Sequence, residues 1–391
     1  MKLSRRLAKI RPSATLAIDQ RARLLRAQGA DIVTLATGEP DFDTPQHIKE
    51  ACKAALDRGD TKYTAVAGTA PLRAAVAQWL SQAHGFSIEP EQVVVSCGAK
   101  HSLFNLFMAL LDEGDEVVVP TPAWVSYPDM IACAGATPVL CPTTAADGFR
   151  LRAADLERVL SPRTRAVVLN SPSNPTGAVY RREHLEPLAE LCVARDLLIV
   201  SDDIYRSLSY DGPCCNVATL GQKVRARTLL VDGVSKTYAM TGFRIGFLAG
   251  PRELVDAVEV IQSQSTSNPT SIAQAAALAA VAGPQDCVDT MRKEFDRRRR
   301  LVLEALTAIP GVRCFEPGGA FYAFPDVSAL LPSGMDDVAA TSRLLEQHGV
   351  AVVPGTAFGA PGHLRLSYAC APDRLAEGLR RLRTGLESLR S

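Results

Sequence analysis

The chain has 391 residues, with 43 lysines and arginines against 42 aspartates and glutamates, so its formal net charge is +1. A balance this even gives no reason to expect binding to nucleic acid or to an anionic membrane. The length suggests about two domains, and a hydrophobic content of 47% with 27 glycines and 25 prolines excludes a disordered chain.

The ten cysteines are scattered and form no C-x-x-C pair, which favours reduced thiols over a disulfide framework or a zinc site. None of the six histidines stands at metal-ligand spacing from cysteines or carboxylates, so no metal is expected. The basic N-terminal stretch lacks the apolar core of a signal peptide. The longest weakly polar run, SIAQAAALAAVAG, is too short to span a bilayer. We therefore expect a cytoplasmic protein.

The first two-thirds of the chain alternate between helix-like and strand-like segments. An amphipathic helix is expected over residues 13–29, ending at Gly29. Apolar β-rich runs follow in the order DIVTLATG, QVVVSCG, DEVVVPTP, ATPVLCP, TRAVVLNSP, LLIVSDD, TLLVDGVS and RIGFLAG. Helix-like segments between them include 46–58, 100–111, 182–195 and 252–262. The alternation predicts an α/β fold with a mostly parallel sheet covered by helices on both faces.

After residue 285 the pattern changes to a long basic helix, 290–308, followed by the short strand candidates GVRCFE, AFYAFPD, VAVVPG and LRLSY and a helix from residue 373. We expect an N-terminal segment, 1–45, packed with a small C-terminal α+β domain, 286–391, and a large domain, 46–285, between them. The RRRR run at 297–300 is expected to be a solvated helix face.

Polar groups collect at four predicted strand ends, in SCGAK, NSPSNPTG, SDDIY and VSK, and we expect these ends to be neighbours. Ligands in such folds bind beside the carboxyl ends of the strands. A desolvated amine at Lys236 would react with an aldehyde. Arg244 and Ser235 suit a phosphate, and Asp202 suits a protonated ring nitrogen. Pyridoxal 5′-phosphate combines these groups.

The segments SDDIY, GVSKTYAMTGFRIG, NSPSNPTG and LATGEPDFDTP resemble the class I pyridoxal-phosphate aminotransferases of the aspartate aminotransferase fold. The resemblance runs from residue 3 to the end of the chain. GAKH, WVSYP, QSTSNPTSIAQ and VAVVPGTAFG make it most similar to the bacterial I-gamma or 1-beta aspartate aminotransferases, some of which also act on prephenate. It implies a large domain with a mostly parallel seven-stranded sheet between helices, a smaller α+β domain, and a homodimer with shared active sites.

Residue roles follow from the resemblance. Lys236 would be the Schiff-base lysine and proton shuttle, and Asp202 the partner of the pyridinium nitrogen. Tyr205 and Asn174 would hydrogen-bond to O3′ of the cofactor, and Trp124 would stack on its ring. The other cofactor contacts would come from Arg244, Ser235, Gly98, Ala99, Lys100 and, across the dimer, Tyr63.

The resemblance also implies the substrate contacts. Arg365 would grip the α-carboxylate, with Gly38, Trp124 and Asn174 beside it, and Lys100 would meet the side-chain carboxylate of aspartate or glutamate. The remaining contacts implied are Thr15, Ser265 or Thr266 of the partner subunit and, for prephenate, Arg11.

The chain departs from the usual pattern in four places. SDD replaces SDE, GTAPLR replaces a GIPELR-like turn, Phe243 replaces tryptophan, and Ala123 replaces a tyrosine before Trp124. The change at Ala123 would enlarge the pocket and weaken a strict preference for aspartate.

The sequence therefore predicts an aminotransferase that moves an amino group between aspartate and 2-oxoglutarate by a ping-pong mechanism. Alternatives are a transaminase for prephenate and glutamate, aromatic amino acids or alanine, and a lyase or synthase on the same scaffold. A regulatory or binding protein built on this domain is a further alternative, disfavoured because the chain has no residues to spare for a DNA-binding domain.

Overall fold

The structure, a computed structural model, describes residues 3–10 and 14–389. Its strands, numbered in chain order, are β1 Val33–Thr34, β2 Val93–Ser96, β3 Glu116–Thr121, β4 Thr137–Pro142, β5 Thr164–Asn170, β6 Leu198–Asp202, β7 Thr228–Gly233, β8 Gly246–Ala249, β9 Arg313–Cys314, β10 Tyr322–Ala323, β11 Pro325–Asp326, β12 Val350–Ala351, β13 Val353–Pro354 and β14 Leu364–Ser367.

The α-helices of the same ranges are α1 Ala14–Ala27, α2 Gln46–Asp57, α3 Ala70–His84, α4 Ala99–Leu110, α5 Ser126–Cys133, α6 Ala153–Val159, α7 Arg182–Ala194, α8 Gln222–Arg225, α9 Val234–Thr237, α10 Arg252–Ser265, α11 Ser271–Ala282, α12 Asp286–Thr307, α13 Asp337–His348 and α14 Pro372–Ser388. In this part of the chain no helix has both the length and the apolar character needed to cross a membrane.

Seven of the described strands form one large sheet in the order β2-β8-β7-β6-β5-β3-β4. Its pairings are parallel except for those of β8, which runs antiparallel to β2 and β7. Parallel strands need a crossover between them, and helices supply it here. The predicted α/β class with a mostly parallel sheet is confirmed.

Both faces of the large sheet are covered, because successive strand residues point to opposite sides. Val94 and Val231 pack in one core with α4, α5 and α10. Val93 and Val95 pack on the other face with α3 and α11, and Val167 packs there with α7. Burial on both sides explains why these strands are continuous apolar runs in the sequence.

The C-terminal part is a smaller layer built on the antiparallel sheet β10-β14-β13. Helices α12, α13 and α14 share its core with Val33 and Leu35 of the N-terminal segment. The DIVTLATG run is not a strand of the large sheet, since it contributes only β1, which pairs in parallel with β12. The domain boundaries at residues 45 and 285 stay predictions.

The prediction that the RRRR run is a solvated face is wrong for two of its four arginines. Arg298 and Arg299 are only 4% and 5% exposed. Arg298 donates to Asp41 at 2.7 Å and to Glu294 at 2.8 Å, and Arg299 donates to the carbonyl of Pro317 at 3.0 Å. These partners compensate the two buried charges, with Asp296 as a further partner of Arg299 at 2.7 Å, which is why α12 can turn both side chains inward.

Candidate active site

The site lies at the edge of the large sheet where β5, β6 and β7 end side by side. The fourth predicted strand end, that of β2, is separated from them by β8. Because β8 is antiparallel, it begins at this edge, and Gly246 pairs there with Ser96 and Gly233. Arg244, two residues before β8, is thereby brought to the same place as the strand ends.

A cavity of about 300 Å³ opens at this edge, within the size range of small-molecule sites. The residues predicted for the site that line it are Thr15, Gly38, Ala99, Lys100, Trp124, Asn174, Asp202, Tyr205, Ser235, Lys236, Arg244 and Arg365. The sequence prediction of one shared site is thus matched by one cavity, although the individual roles stay predictions.

Lys236 lies on α9, the short helix that directly follows β7. Its Nζ donates to the carbonyl oxygen of Gly38 at 2.7 Å. Burial lowers the pKa of the amine from 10.5 to about 8; Glu39 opposes the shift, and the charges of Arg244 and Arg365 add to it. A substantial fraction of the amine is therefore neutral near physiological pH, although the ammonium form still predominates, and the neutral form can act as a nucleophile or base.

Asp202 is the last residue of β6 and is 3% exposed. Its carboxylate accepts hydrogen bonds from Tyr127 Oη at 2.5 Å and from the Ile204 amide at 3.3 Å. Burial raises its pKa to about 6, against the effect of these two donors. A carboxylate held this way can pair with a cationic ring nitrogen.

Tyr205 follows β6 and shares a hydrogen bond of 2.8 Å with the hydroxyl of Tyr322 on β10. Burial raises the pKa of both phenols, and the neighbouring hydroxyl of Tyr322 raises that of Tyr205 further. A Cβ on Gly38 would stand 2.6 Å from Tyr322 Oη, so glycine leaves room for this hydroxyl. The pair remains protonated and can donate to an acceptor in the cavity.

Arg365 lies on β14 and is 3% exposed. Nη1 donates to Asn174 Oδ1 at 3.1 Å and Nη2 to the Ala36 carbonyl at 2.5 Å. Its guanidinium also lies 4.7 Å from the ring centroid of Tyr322 and 5.0 Å from that of Phe358. The buried Nε has no partner among the described residues, and the residue lines the cavity, where a planar guanidinium suits a carboxylate.

The opposite wall is built for an anion. Gly98 precedes α4 with φ of 94°, and an added Cβ would stand 2.5 Å from Arg244 Nη2. Arg244 is oriented by the carbonyl of Thr241, which accepts from Nη1 at 2.9 Å. The first amides of α4, the guanidinium and the hydroxyl of Ser235 form a donor set that suits a phosphate.

Lys100, in the first turn of α4, lies over Trp124 with Nζ 4.9 Å from the ring centroid. Partial burial lowers the pKa of Lys100, and the charge of Arg244 adds to this effect. Trp124 itself meets Tyr127 edge to face at 5.2 Å. A flat ring and a cation therefore stand together at one wall of the cavity.

Two predicted positions among the described residues are not part of the cavity lining. Gly98 does not line it although the adjacent Ala99 does, and Tyr63 is 90% exposed on the surface. Arg11 lies outside the described residues. Ala123 is buried and lines a separate void of about 20 Å³ behind Trp124, so it does not enlarge the main cavity in the way expected from the sequence.

Sequence reasoning missed several side chains that shape the cavity. They are Tyr322, Tyr127, Asn170 and Asp19. Asn170 bridges two strand ends, since its Nδ2 donates to the Asp202 carbonyl at 2.9 Å and its Oδ1 accepts from the Asn174 amide at 2.9 Å. The position of Asn170 at the end of β5 is a sequence signal that was available for it.

Known proteins similar to this chain are aminotransferases. A family model described as aminotransferase class I and II matches residues 30–382. An aspartate aminotransferase of Geobacillus stearothermophilus is 46% identical over 391 residues, covering 99% of this chain and 100% of that protein. An aspartate/prephenate aminotransferase of Thermus thermophilus is 47% identical over 97% of both proteins.

Solved structures of similar chains share the fold. The aspartate aminotransferase from Rhizobium meliloti superposes with a TM-score of 0.95 at 44% identity, with 99% of each chain covered. The Thermus thermophilus aspartate aminotransferase with maleate gives a TM-score of 0.94 at 46% identity, covering 98% of this chain and 100% of that one.

Proposed function

The chain belongs to the class I and II aminotransferase family, as its sequence predicts, and we propose that it binds pyridoxal 5′-phosphate and transfers the amino group of aspartate to 2-oxoglutarate. The observation that carries the proposal is one cavity lined by a half-buried amine, Lys236, a buried carboxylate, Asp202, and a buried guanidinium, Arg365.

The residues present fit this cofactor. At Gly98 there is no room for a Cβ beside Arg244, so the bare backbone and the guanidinium lie close together at the place where a phosphate would bind. Ser235 supplies a hydroxyl, and the start of α4 supplies amides with a favourable helix dipole. At the other end Asp202 supplies a buried acid for the pyridine nitrogen, and Lys236 an amine for the aldehyde.

When bound, the cofactor would supply an aldehyde that captures the amino group and a ring that withdraws electrons from the substrate Cα. Asp202 would keep the ring nitrogen protonated. Tyr205, paired with Tyr322, would donate to the ring oxygen together with Asn174. Lys236 Nζ, with its pKa lowered to about 8, would take the proton from the substrate Cα and return it to the aldehyde carbon of the cofactor.

Substrate binding would begin at Arg365. Its guanidinium is held by Asn174 and the Ala36 carbonyl, and the residue lines the cavity, where it would bind the substrate carboxylate. Lys100 would meet the second carboxylate of aspartate. The relatives named for aspartate, and the Thermus thermophilus structure with the dicarboxylate maleate, support this choice of substrate class.

We also propose that the enzyme is a homodimer with shared sites. Tyr63 is 90% exposed, which is unusual for a large aromatic side chain and is consistent with burial against a second copy. In that arrangement the phenol of Tyr63 would reach the phosphate held by the other subunit.

A second substrate, prephenate as the amino acceptor, is supported by the names of relatives such as the aspartate/prephenate aminotransferase of Thermus thermophilus. Aspartate and prephenate each carry two carboxylates and suit Arg365 with a second cation. Rates with prephenate and glutamate, measured beside those with aspartate, would separate a dual-substrate enzyme from one restricted to aspartate.

Two measurements test the proposal. Protein incubated with pyridoxal 5′-phosphate should acquire a visible absorption band, which Lys236→Ala should abolish; a protein that remains colourless would refute the cofactor assignment. Lys100→Ser should lower kcat/KM for aspartate more than for alanine, whereas Lys293→Ser, at an exposed position on α12, should leave both unchanged. Equal losses for both donors in Lys100→Ser would refute its role in recognising the second carboxylate.

A further inference from the structure

A buried ion pair joins the two chain segments that carry Asp202 and Lys236. Arg206 Nε donates to Asp232 Oδ2 at 2.6 Å, and the two side chains are 15% and 1% exposed. Arg206 follows the SDDIY segment after β6, and Asp232 lies on β7 four residues before Lys236. Within the described residues, the cavity lining includes neither of them. The pair thus ties the two strand ends together from outside the cavity.

Each member of the pair has a second anchor. The guanidinium of Arg206 lies 3.9 Å from the ring centroid of Trp79 on α3, and its amide donates to the Asp203 carbonyl at 2.8 Å. Asp232 Oδ1 accepts from the Gly233 amide at 2.7 Å. With both ends fixed, the distance between the charges has little freedom to change.

The charge of Asp232 acts on Asp202. In the sheet Asp202 pairs with Val231, the residue before Asp232. Burial raises the pKa of Asp202 to about 6, its hydrogen bond from Tyr127 opposes this, and the charge of Asp232 adds to the increase. The ionisable groups that surround Asp202 are Tyr127 on α5, Asp232 on β7, Asp203 and Tyr205 in its own segment, and Lys236 on α9.

We propose that Arg206 is a positioning residue for the reaction, which neutralises Asp232 and holds β6 to β7 so that Asp202 stays ionised and in place relative to Lys236. The inference rests on the proposed function, because it assumes that Asp202 binds the cofactor nitrogen. In a dry interior an unpaired carboxylate strongly disfavours ionisation of a second one nearby. Loss of Arg206 and loss of Asp232 therefore act on Asp202 in opposite directions.

The test is the affinity for pyridoxal 5′-phosphate across acidic and neutral pH, read from the visible absorption band. Affinity should fall as Asp202 takes up a proton, and this falling part of the pH profile is the acid limb. Arg206→Gln should move the acid limb to higher pH by about one unit, which is about tenfold weaker binding on the limb. Asp232→Asn should move it to lower pH, and the acid limb of the double variant should lie at lower pH than that of Arg206→Gln. Arg206→Lys, which keeps the charge, should restore most of the wild-type limb.

A matched control lies at the other end of the same strands, where Arg227 pairs with the exposed Asp196 at 2.6 Å. Arg227→Gln should leave the acid limb in place. A purely structural role predicts that both single substitutions weaken binding alike at every pH, so shifts in the same direction, or none, would overturn the inference. A wild-type protein that binds no cofactor at any pH would instead overturn the proposed function. Thermal unfolding of each variant identifies any that fails to fold. If Arg206→Gln does not fold, the direction of the shift in Asp232→Asn alone tests the inference.

Discussion

Arg365 on β14 donates a hydrogen bond to the side-chain oxygen of Asn174, at 3.1 Å, and so links the small antiparallel sheet to the loop after β5 of the large one. The two residues are 191 positions apart in the chain. The contact fixes a buried guanidinium whose Nε has no partner in the described part of the protein. A planar donor group held in this way is preorganised for a carboxylate.

Arg365→Lys should therefore impair substrate binding even though it keeps the charge. A lysine offers no planar fork, so kcat/KM for aspartate should fall by about 100-fold, equivalent to about 3 kcal/mol, with cofactor affinity little changed. The matched control is Arg313→Lys, because Arg313 is exposed and pairs with Asp326 in the same small layer. Steady-state kinetics and a cofactor titration measure both quantities; a loss confined to cofactor affinity would contradict this role.

Tyr322→Phe should lower kcat with little effect on stability beyond that of one hydrogen bond. The hydroxyl of Tyr322 orients that of Tyr205 at 2.8 Å, so its loss should reduce kcat by about threefold to tenfold, equivalent to about 0.5–1.5 kcal/mol. Tyr210→Phe is the control, since it removes a similar tyrosine pair, with Tyr368 at 3.2 Å, away from the cavity. Equal falls in kcat for the two variants would show that Tyr322 acts only through packing.

Gly98→Ala should lose cofactor affinity, whereas Gly114→Ala should not. Both glycines have positive φ, 94° and 97°, so both substitutions strain the backbone. Only the Cβ at position 98 would meet a neighbour, Arg244 Nη2 at 2.5 Å, while position 114 has nothing within 4 Å. Both variants should lose about 1–2 kcal/mol of folding stability. Titration with pyridoxal 5′-phosphate separates them, and equal affinities would show that Gly98 and Arg244 do not form the phosphate site.

Several elements of the site were accessible from the sequence because local pattern determines them. Asp202 ends β6 and Lys236 comes shortly after β7, and each of these strands is buried on both faces and therefore reads as an apolar run. A polar residue directly after such a run lies at the sheet edge where ligands bind. The strand ends on either side of the β6–β7 pair could be placed by the same rule.

Other features depend on contacts that no local pattern reveals. Tyr322 belongs to a two-residue strand, too short for a periodic signal, and meets Tyr205 from 117 positions away. The antiparallel direction of β8, which brings Arg244 to the site, is not encoded in its apolar composition. In the RRRR run the four side chains are identical, and only the distant Asp41 distinguishes Arg298 as an inward-facing one.

The ionisation of Lys236 should appear in the stability of the cofactor-free protein. Burial lowers its pKa from 10.5 to about 8, so between these pH values the unfolded chain binds more protons than the folded one. The free energy of unfolding should therefore rise with pH across this window, and the cost of the buried charge is fully present below it. Urea unfolding of Lys236→Met should lack this rise, while Lys293→Met, at an exposed position, should retain it. Parallel pH curves for wild type and Lys236→Met would contradict the lowered pKa.

The buried arginines of α12 give a prediction about stability alone. Arg298 is buried between Asp41 and Glu294, whereas the side chain of its neighbour Arg297 is 57% exposed with Glu294 as its partner. Arg298→Met should lower the free energy of unfolding by about 3 kcal/mol, because it leaves carboxylates without their buried partner. Arg297→Met should change it by less than about 0.5 kcal/mol, as is usual for an exposed pair. The two substitutions alter composition identically, so a similar loss in urea unfolding would mean that burial does not distinguish the two arginines.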